Sequence, residues 1–203
     1  MTSTARCSFL PAAVAAMLAS FSALAADWQA NEIVKTYSIS GTTPIELYEE
    51  IGAKGPLLGG SSRAIAYTSF DLKWRRDYRP QPDGSCMLVS ALPFMTITYN
   101  LPKPAKALPE PTARLWTRFI DGMTAHEKVH GQHMRDMVDR ILDTTTGLTV
   151  PDDPGCRKIR EEIKKPLIAA SEEQRRKSRD FDRVEMSKGG NVHKLILDLV
   201  NRR

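Results

Sequence analysis

At Pro111 the spacing of apolar residues changes from every second position to every third or fourth, dividing the chain into a strand-forming and a helix-forming part. Upstream, in "RAIAYTSFDLKWRRDY", Ala66, Thr68, Phe70, Leu72 and Trp74 fall on one face of an extended chain, while Ser69, Asp71 and Lys73 fall on the other. That alternation predicts a half-buried strand, most simply in an antiparallel sheet. "RPQPDGS" supplies a turn, and "CMLVSALPFMTITYNLP" returns as a strand or pair of strands, with a bulge or break expected at Pro93. Earlier, "EIVKTYSI" alternates as a first strand. "GTTPIELYEEIG" then opens a short helix, with Thr43 as cap, Pro44 at the first helical position and Glu46 completing a capping box.

Downstream of the stiff connector "KPAKALPEP", Leu115, Phe119, Met123, His126, His130, Met134, Met137 and Ile141 recur at helical spacing. At about 100° per residue, Phe119, Met123, His130, Met137 and Ile141 all lie within about 60° of His126. The histidines therefore belong on or beside the buried face of one long helix, which Gly122 is expected to loosen and "TTTG" to close. A second, very polar helical region runs through "VPDDPGCRKIREEIKKPLIAASEEQRRKSRDFDRVEMSKGG", with a kink expected near Pro166. "NVHKLILDLVNRR" makes a short terminal amphipathic helix. Strands first and helices afterwards define an α+β fold: antiparallel strands in the N-terminal half, then a long helix carrying the histidines and further helices.

The first 25 residues do not belong to that fold. Arg6, an apolar stretch broken by Pro11 and several serines, and Ala23-Leu24-Ala25 have the form of a secretory signal peptide cleaved after Ala25. The stretch is short for a membrane span of about 20 residues, and no later segment is apolar enough, so no stable membrane insertion is expected after cleavage. Residues 26–203 are expected to form a single domain destined for the periplasm or the exterior. In that oxidising setting the surviving Cys86 and Cys156 are most simply a disulfide. The formal net charge is +5, with acids interleaved among the bases and no aromatic-basic pattern, so nucleic acid is not an expected partner.

The chain has four histidines, and "TAHEKVHGQH" holds three of them. His126-Glu127-Lys128-Val129-His130 reads H-E-x-x-H. Side chains four apart stack on one side of a helix, so both imidazoles can reach one zinc ion. Glu127, about 100° from His126, stands beside the pair as the group that takes a proton from metal-bound water and passes it on. The competing account makes the two histidines ordinary helix residues and Glu127 a surface ion-pair partner. The longer signature H-E-x-x-H-x-x-G-x-x-H fails here, because His133 stands where its glycine belongs and Asp136 where its last histidine belongs. His133 is a poor third ligand for an ion held by the other two, since seven residues rise about 10.5 Å along a helix. A third ligand is therefore sought downstream, where Glu161, Glu162, Glu172, Glu173, Asp180, Asp182, Glu185 and His193 are all chemically suitable. Glu185 is the chosen third ligand, with Asp182, His193 and His133 as alternatives.

"FDLKW", "MTITYNLP", "LWTRFIDGMTAHEKVHGQH" and "RDFDRVEMSKGG" together resemble a bacterial family of unknown function described as predicted secreted zinc-dependent proteases. The resemblance implies that His126, Glu127 and His130 are the zinc-binding motif. Family members tend to carry a Tyr-Asp pair downstream, followed by Thr and then His-Gly; Phe181-Asp182 matches the pair, but "VEMSKGG" has no histidine. The expected activity is hydrolysis of protein or peptide substrates by zinc-activated water, with Glu127 as proton carrier. Two alternatives remain at this stage: a catalytically degenerate binding or scaffold protein, and a zinc hydrolase of a non-peptide cell-wall amide.

Overall fold

The computed structural model describes residues 28–201 except Gly59 and Ser61; the expected signal segment, residues 1–25, lies outside the described residues. In chain order the elements are β1 (Asn31–Ile39), α1 (Pro44–Lys54), β2 (Leu57–Leu58), β3 (Ser62–Arg63), β4 (Tyr67–Pro80), β5 (Cys86–Pro104), α2 (Thr112–Thr145), β6 (Thr149–Val150), α3 (Lys158–Glu162), α4 (Lys164–Met186) and α5 (Asn191–Asn201). The α+β layout follows the change of period at Pro111.

β5 is the centre of the sheet, with β4 antiparallel on one side and β1 on the other. β1 runs parallel to β5, from Asn31 opposite Thr96 to Ile39 opposite Pro104, so the sheet is mixed rather than wholly antiparallel. Short-range alternation reveals a strand but carries no signal for its partner's direction. The expected break at Pro93 is absent: Pro93 sits in register opposite Trp74. The irregularity lies earlier, where Tyr78 pairs with Leu88 and Asp77 with Ser90, leaving Val89 as the extra residue. One extra residue reverses which face each side chain meets. Accordingly Cys86 and Leu88 are buried before the bulge, and Pro93, Met95, Ile97, Tyr99 and Leu101 after it.

The helices cover one face of the sheet. α1 starts on the expected capping box, with Thr43 accepting from the Glu46 amide and Glu46 accepting from the Thr43 amide. α2 is continuous through Gly122; a Cβ there would meet the Leu195 side chain at 2.5 Å, so that glycine lets α5 lie close. The discontinuity in the polar helical region is at Ile163, between α3 and α4, leaving Pro166 in the first turn of α4 where a missing N–H is tolerated.

Two apolar clusters divide α2 between them. Trp116, Phe119 and Met123 pack with Ile39, Leu47, Ile51, Val192 and Leu199, whereas Met134, Met137, Val138 and Ile141 pack with Met95, Ile97 and Tyr99. His126 and His130 occupy the stretch between the clusters, flanked by apolar packing on either side along the helix. A third cluster gathers Leu88, Ile159 and Ile163 around the Cys86–Cys156 disulfide, which is formed. Among the described residues, no helix is long and apolar enough to cross a membrane.

Candidate metal centre

The helical spacing brings the two imidazoles together on the inner side of α2, where His126, Glu127 and His130 are 5%, 4% and 9% exposed. Their Nε2 atoms are 3.2 Å apart. α4 crosses them and delivers Asp182, whose Oδ1 lies 2.8 Å from His130 Nε2 and 3.2 Å from His126 Nε2. Phe181, the preceding residue, stacks on His126 with ring centroids 4.8 Å apart, and meets His130 edge-on. That stacking seals one ring face and helps fix the rotation of α4 that aims Asp182 at both nitrogens.

Three donor atoms converging in this way suit a cation. Ligand atoms about 2.0–2.1 Å from a tetrahedral metal stand about 3.3 Å from one another, near the spacings seen here. Hydrogen bonds satisfy the triangle less completely. If both Nε2–H groups donate to Asp182 Oδ1, two like dipoles are left facing across 3.2 Å. Two neutral imidazoles and a carboxylate around one ion use all three lone pairs. Among the described residues, His126, His130 and Asp182 are the one such metal-capable group.

The electrostatics agree with that arrangement. Burial alone would raise the Asp182 carboxyl, but hydrogen bonds from His126 and His130, reinforced by their charge, hold it well below the usual carboxylate range. Burial pulls His130 down, and the Asp182 carboxylate, aided by Glu127, more than reverses this, leaving His130 above its ordinary value. Burial also raises Glu127, and the hydrogen bond from Thr68 offsets only part of that rise. Thr68 Oγ1 donates to Glu127 Oε2 at 2.5 Å, anchoring one carboxylate oxygen from β4.

The profile of a family described as "Bacterial protein of unknown function (DUF922)" matches residues 34–190, which include every residue of this cluster. The chain belongs to that family. No curated protein and no solved structure matches it.

In this DUF922 member Glu185, the expected third ligand, lies on the other side of the His126 ring. Its Oε2 is 3.8 Å from His126 Nδ1, while Asp182 occupies the Nε2 side. Nδ1 is buried and has no hydrogen-bond partner among the described residues, and Asn191 holds the other Glu185 oxygen at 2.8 Å. His133 stands outside the triangle against Ser178 Oγ, 3.2 Å from its Nδ1. Burial, with the neighbouring His130 charge, lowers its pKa. His193 accepts from the Gly189 amide at the start of α5 and does not join the cluster. Glu161, Glu162, Glu173 and Asp180 pair with Lys164, Lys165, Lys177 and Arg183 on helix surfaces, and Asp136 accepts from Gln132.

Three supporting residues carry no site role in the sequence reading. Thr68 is visible there only as a polar residue on an otherwise apolar strand face. Phe181 is visible only as the aromatic half of a pair. Tyr99 packs so closely under α2 that a Cβ at Gly131 would collide with its hydroxyl, and Thr68 is its partner in the β4–β5 register. The glycine in the motif helix thus serves sheet–helix contact, two positions before the place the longer metal signature would require.

A cleft of about 490 Å³ opens over the cluster. Its floor includes His126, Glu127, His130 and Met134, and α4 forms one wall. The opposite wall contains Tyr67, Thr68, Ser69 and Phe70 in succession. Consecutive strand residues point to opposite faces. Four in a row lining one cleft means that the cleft looks onto the edge of β4, and that edge has no strand partner among the described residues.

Proposed function

We propose that this DUF922 member is an exported zinc-dependent peptidase, with His126, His130 and Asp182 as the metal ligands and Glu127 as the proton carrier. The observation that carries the reading is the juxtaposition of the His-His-Asp group, buried Glu127 and the unpaired edge of β4 in one cleft. A zinc ion held there would polarise a scissile carbonyl and make a bound water more acidic.

The chain's own residues supply the remainder. The edge of β4 offers main-chain donors and acceptors to an extended polypeptide, aligning one peptide bond over the cluster. Thr68 anchors Glu127 Oε2 and leaves the second oxygen to accept the water proton and return it to the leaving amine. Phe181 covers the His126 ring and keeps bulk water off that ligand. Glu185, whose Oε2 stands 3.8 Å from His126 Nδ1, would favour the ring orientation and tautomer that carry the proton on Nδ1.

Two imidazoles and a carboxylate also serve non-haem iron. A buried carboxylate beside the ligands, which hydrolysis needs, favours zinc. Against a degenerate scaffold stand three convergent donors, His126, His130 and Asp182, beside an intact Glu127. The strand edge favours polypeptide over a cell-wall amide. The disulfide accords with export to an oxidising compartment, as do the form of residues 1–25 and the resemblance to predicted secreted zinc-dependent proteases.

Incubating zinc-loaded protein with an unfolded polypeptide and reading the products by mass spectrometry tests the reading. Cleavage that stops with a chelator and returns with zinc supports it. Intact substrate, or cleavage indifferent to chelation, overturns it.

A further inference from the structure

The cleft has a charge asymmetry that the hydrolytic apparatus does not use. Its lining includes two carboxylates, and both are engaged: Asp182 with the two histidines and Glu127 with Thr68. Arg175 and Arg179 also line it, one turn apart on α4. Neither forms an ion pair among the described residues; Arg175 donates only to Ser171 Oγ, at 2.8 Å. Lys164, Lys165, Lys177 and Arg183 each pair with an acid three or four residues away, whereas Arg176 of α4, outside the cleft lining, has no ion pair among the described residues either. The two arginines that line the cleft are thus left with no acidic partner for their charge among the described residues, and with N–H donors to spare for a ligand.

Helical rise sets their distance from the cluster. Arg179 is three residues from Asp182 and Arg175 seven, about 4.5 and 10.5 Å along α4. An extended chain advances about 3.3 Å per residue, so these distances correspond to roughly one to three substrate residues from the cluster. A carboxylate side chain there meets a planar guanidinium suited to two parallel hydrogen bonds. Around the same cleft, Leu58, Tyr67, Phe70 and Met186 are all more than a third exposed and offer apolar contact to neighbouring side chains.

We infer that Arg175 and Arg179 form an anion subsite, and that the preferred ligand of the cleft is an extended polypeptide with an aspartate or glutamate within about three residues of the bond over the metal cluster. The inference rests on the peptidase reading for the scissile bond but can be measured without turnover. Fluorescence anisotropy on the Glu127→Gln protein loaded with zinc would compare an acidic peptide with the same peptide carrying Gln at the acidic positions. The acidic peptide should bind about tenfold tighter, and 0.5 M salt, at about a 4–5 Å screening length, should erase most of that difference. Replacing both arginines by glutamine should bring the ratio close to one while zinc content stays unchanged. Equal affinity for the two peptides in the parent protein would overturn the inference, as would a preference that survives loss of both arginines. Preferred binding of the acidic peptide without cleavage by the zinc-loaded wild type would support the subsite and sink the peptidase reading. Cleavage with no acidic bias would do the reverse.

Discussion

Beside the Cys86–Cys156 disulfide a buried carboxylate is fully satisfied within the protein; in the middle of α2 a buried imidazole is not. Asp153 shows the first condition. Its two carboxylate oxygens accept from the main-chain N–H groups of Arg157 and Ile159, its own amide donates to Gly84, and the disulfide closes beside it. His126 shows the second, with a buried Nδ1 unpartnered among the described residues and an Nε2 sharing one carboxylate oxygen with another imidazole. Both regions contain an aspartate held below its ordinary pKa against the upward pull of burial. Asp153 is lowered by backbone amides, and Asp182 by imidazoles whose Nε2 atoms can give up a proton to solvent and offer a lone pair to a metal instead. The first arrangement stabilises a fold, and the second is suited to holding a cation.

The sharpest way to separate the two is to damage each and read both stability and chemistry. Glu127→Gln should lower peptide turnover by about 100- to 10,000-fold, the usual range for a lost proton carrier, with metal content unchanged in elemental analysis. Undiminished turnover would remove Glu127 from the mechanism. Replacing Cys86 and Cys156 together by alanine should leave metal stoichiometry intact and destabilise the fold by about 2–5 kcal/mol, measured by urea unfolding under oxidising conditions. Loss of metal together with the disulfide would mean that the two regions are not separable.

Gly131→Ala lies at the junction of α2 and the sheet. It should cost about 1–3 kcal/mol by overpacking against Tyr99, and Tyr99→Phe should recover part of that loss, because the added Cβ meets the hydroxyl most closely. A double-mutant cycle reads the coupling, and strict additivity would contradict the contact. The smallest effect belongs to Asp153→Asn. A carboxyl whose folded pKa is lowered contributes stability above its unfolded value, near 3.8, and loses that contribution as pH falls through the lower folded value. The wild-type advantage over the asparagine variant should therefore be full at pH 6 and shrink below about pH 4. An advantage that is constant between pH 6 and pH 2 would contradict the assignment.

The same contrast explains what could be read from the sequence. Periodicity and capping are local, so β1, β4 and β5, the α1 capping box and the histidine face of α2 were legible, whereas the two-residue strands β2, β3 and β6 are too short to show a period. The disulfide was legible from an expected oxidising compartment and an even cysteine pair. Asp182 and Glu185 were both visible as candidate ligands, but three residues apart on a helix they differ by about 60° of rotation. Choosing between them requires knowing how α4 rotates against α2, which the packing of Phe181 on His126 helps determine in three dimensions. The bulge at Val89 was misplaced to Pro93 for a related reason. Because β1 pairing starts only at Thr96, proline there has a side without a strand neighbour and disrupts nothing. Thr68 and Gly131 acquire meaning only when β4 and β5 are laid under α2.

The most direct measurement is the metal content of purified wild-type, Asp182→Ala and Glu185→Gln proteins after equilibration with zinc and removal of the free ion. One zinc per chain is expected in the wild type and in Glu185→Gln, the latter held more weakly, with none retained by Asp182→Ala. Full retention in Asp182→Ala, or no zinc in the folded wild type, would contradict the His126–His130–Asp182 centre.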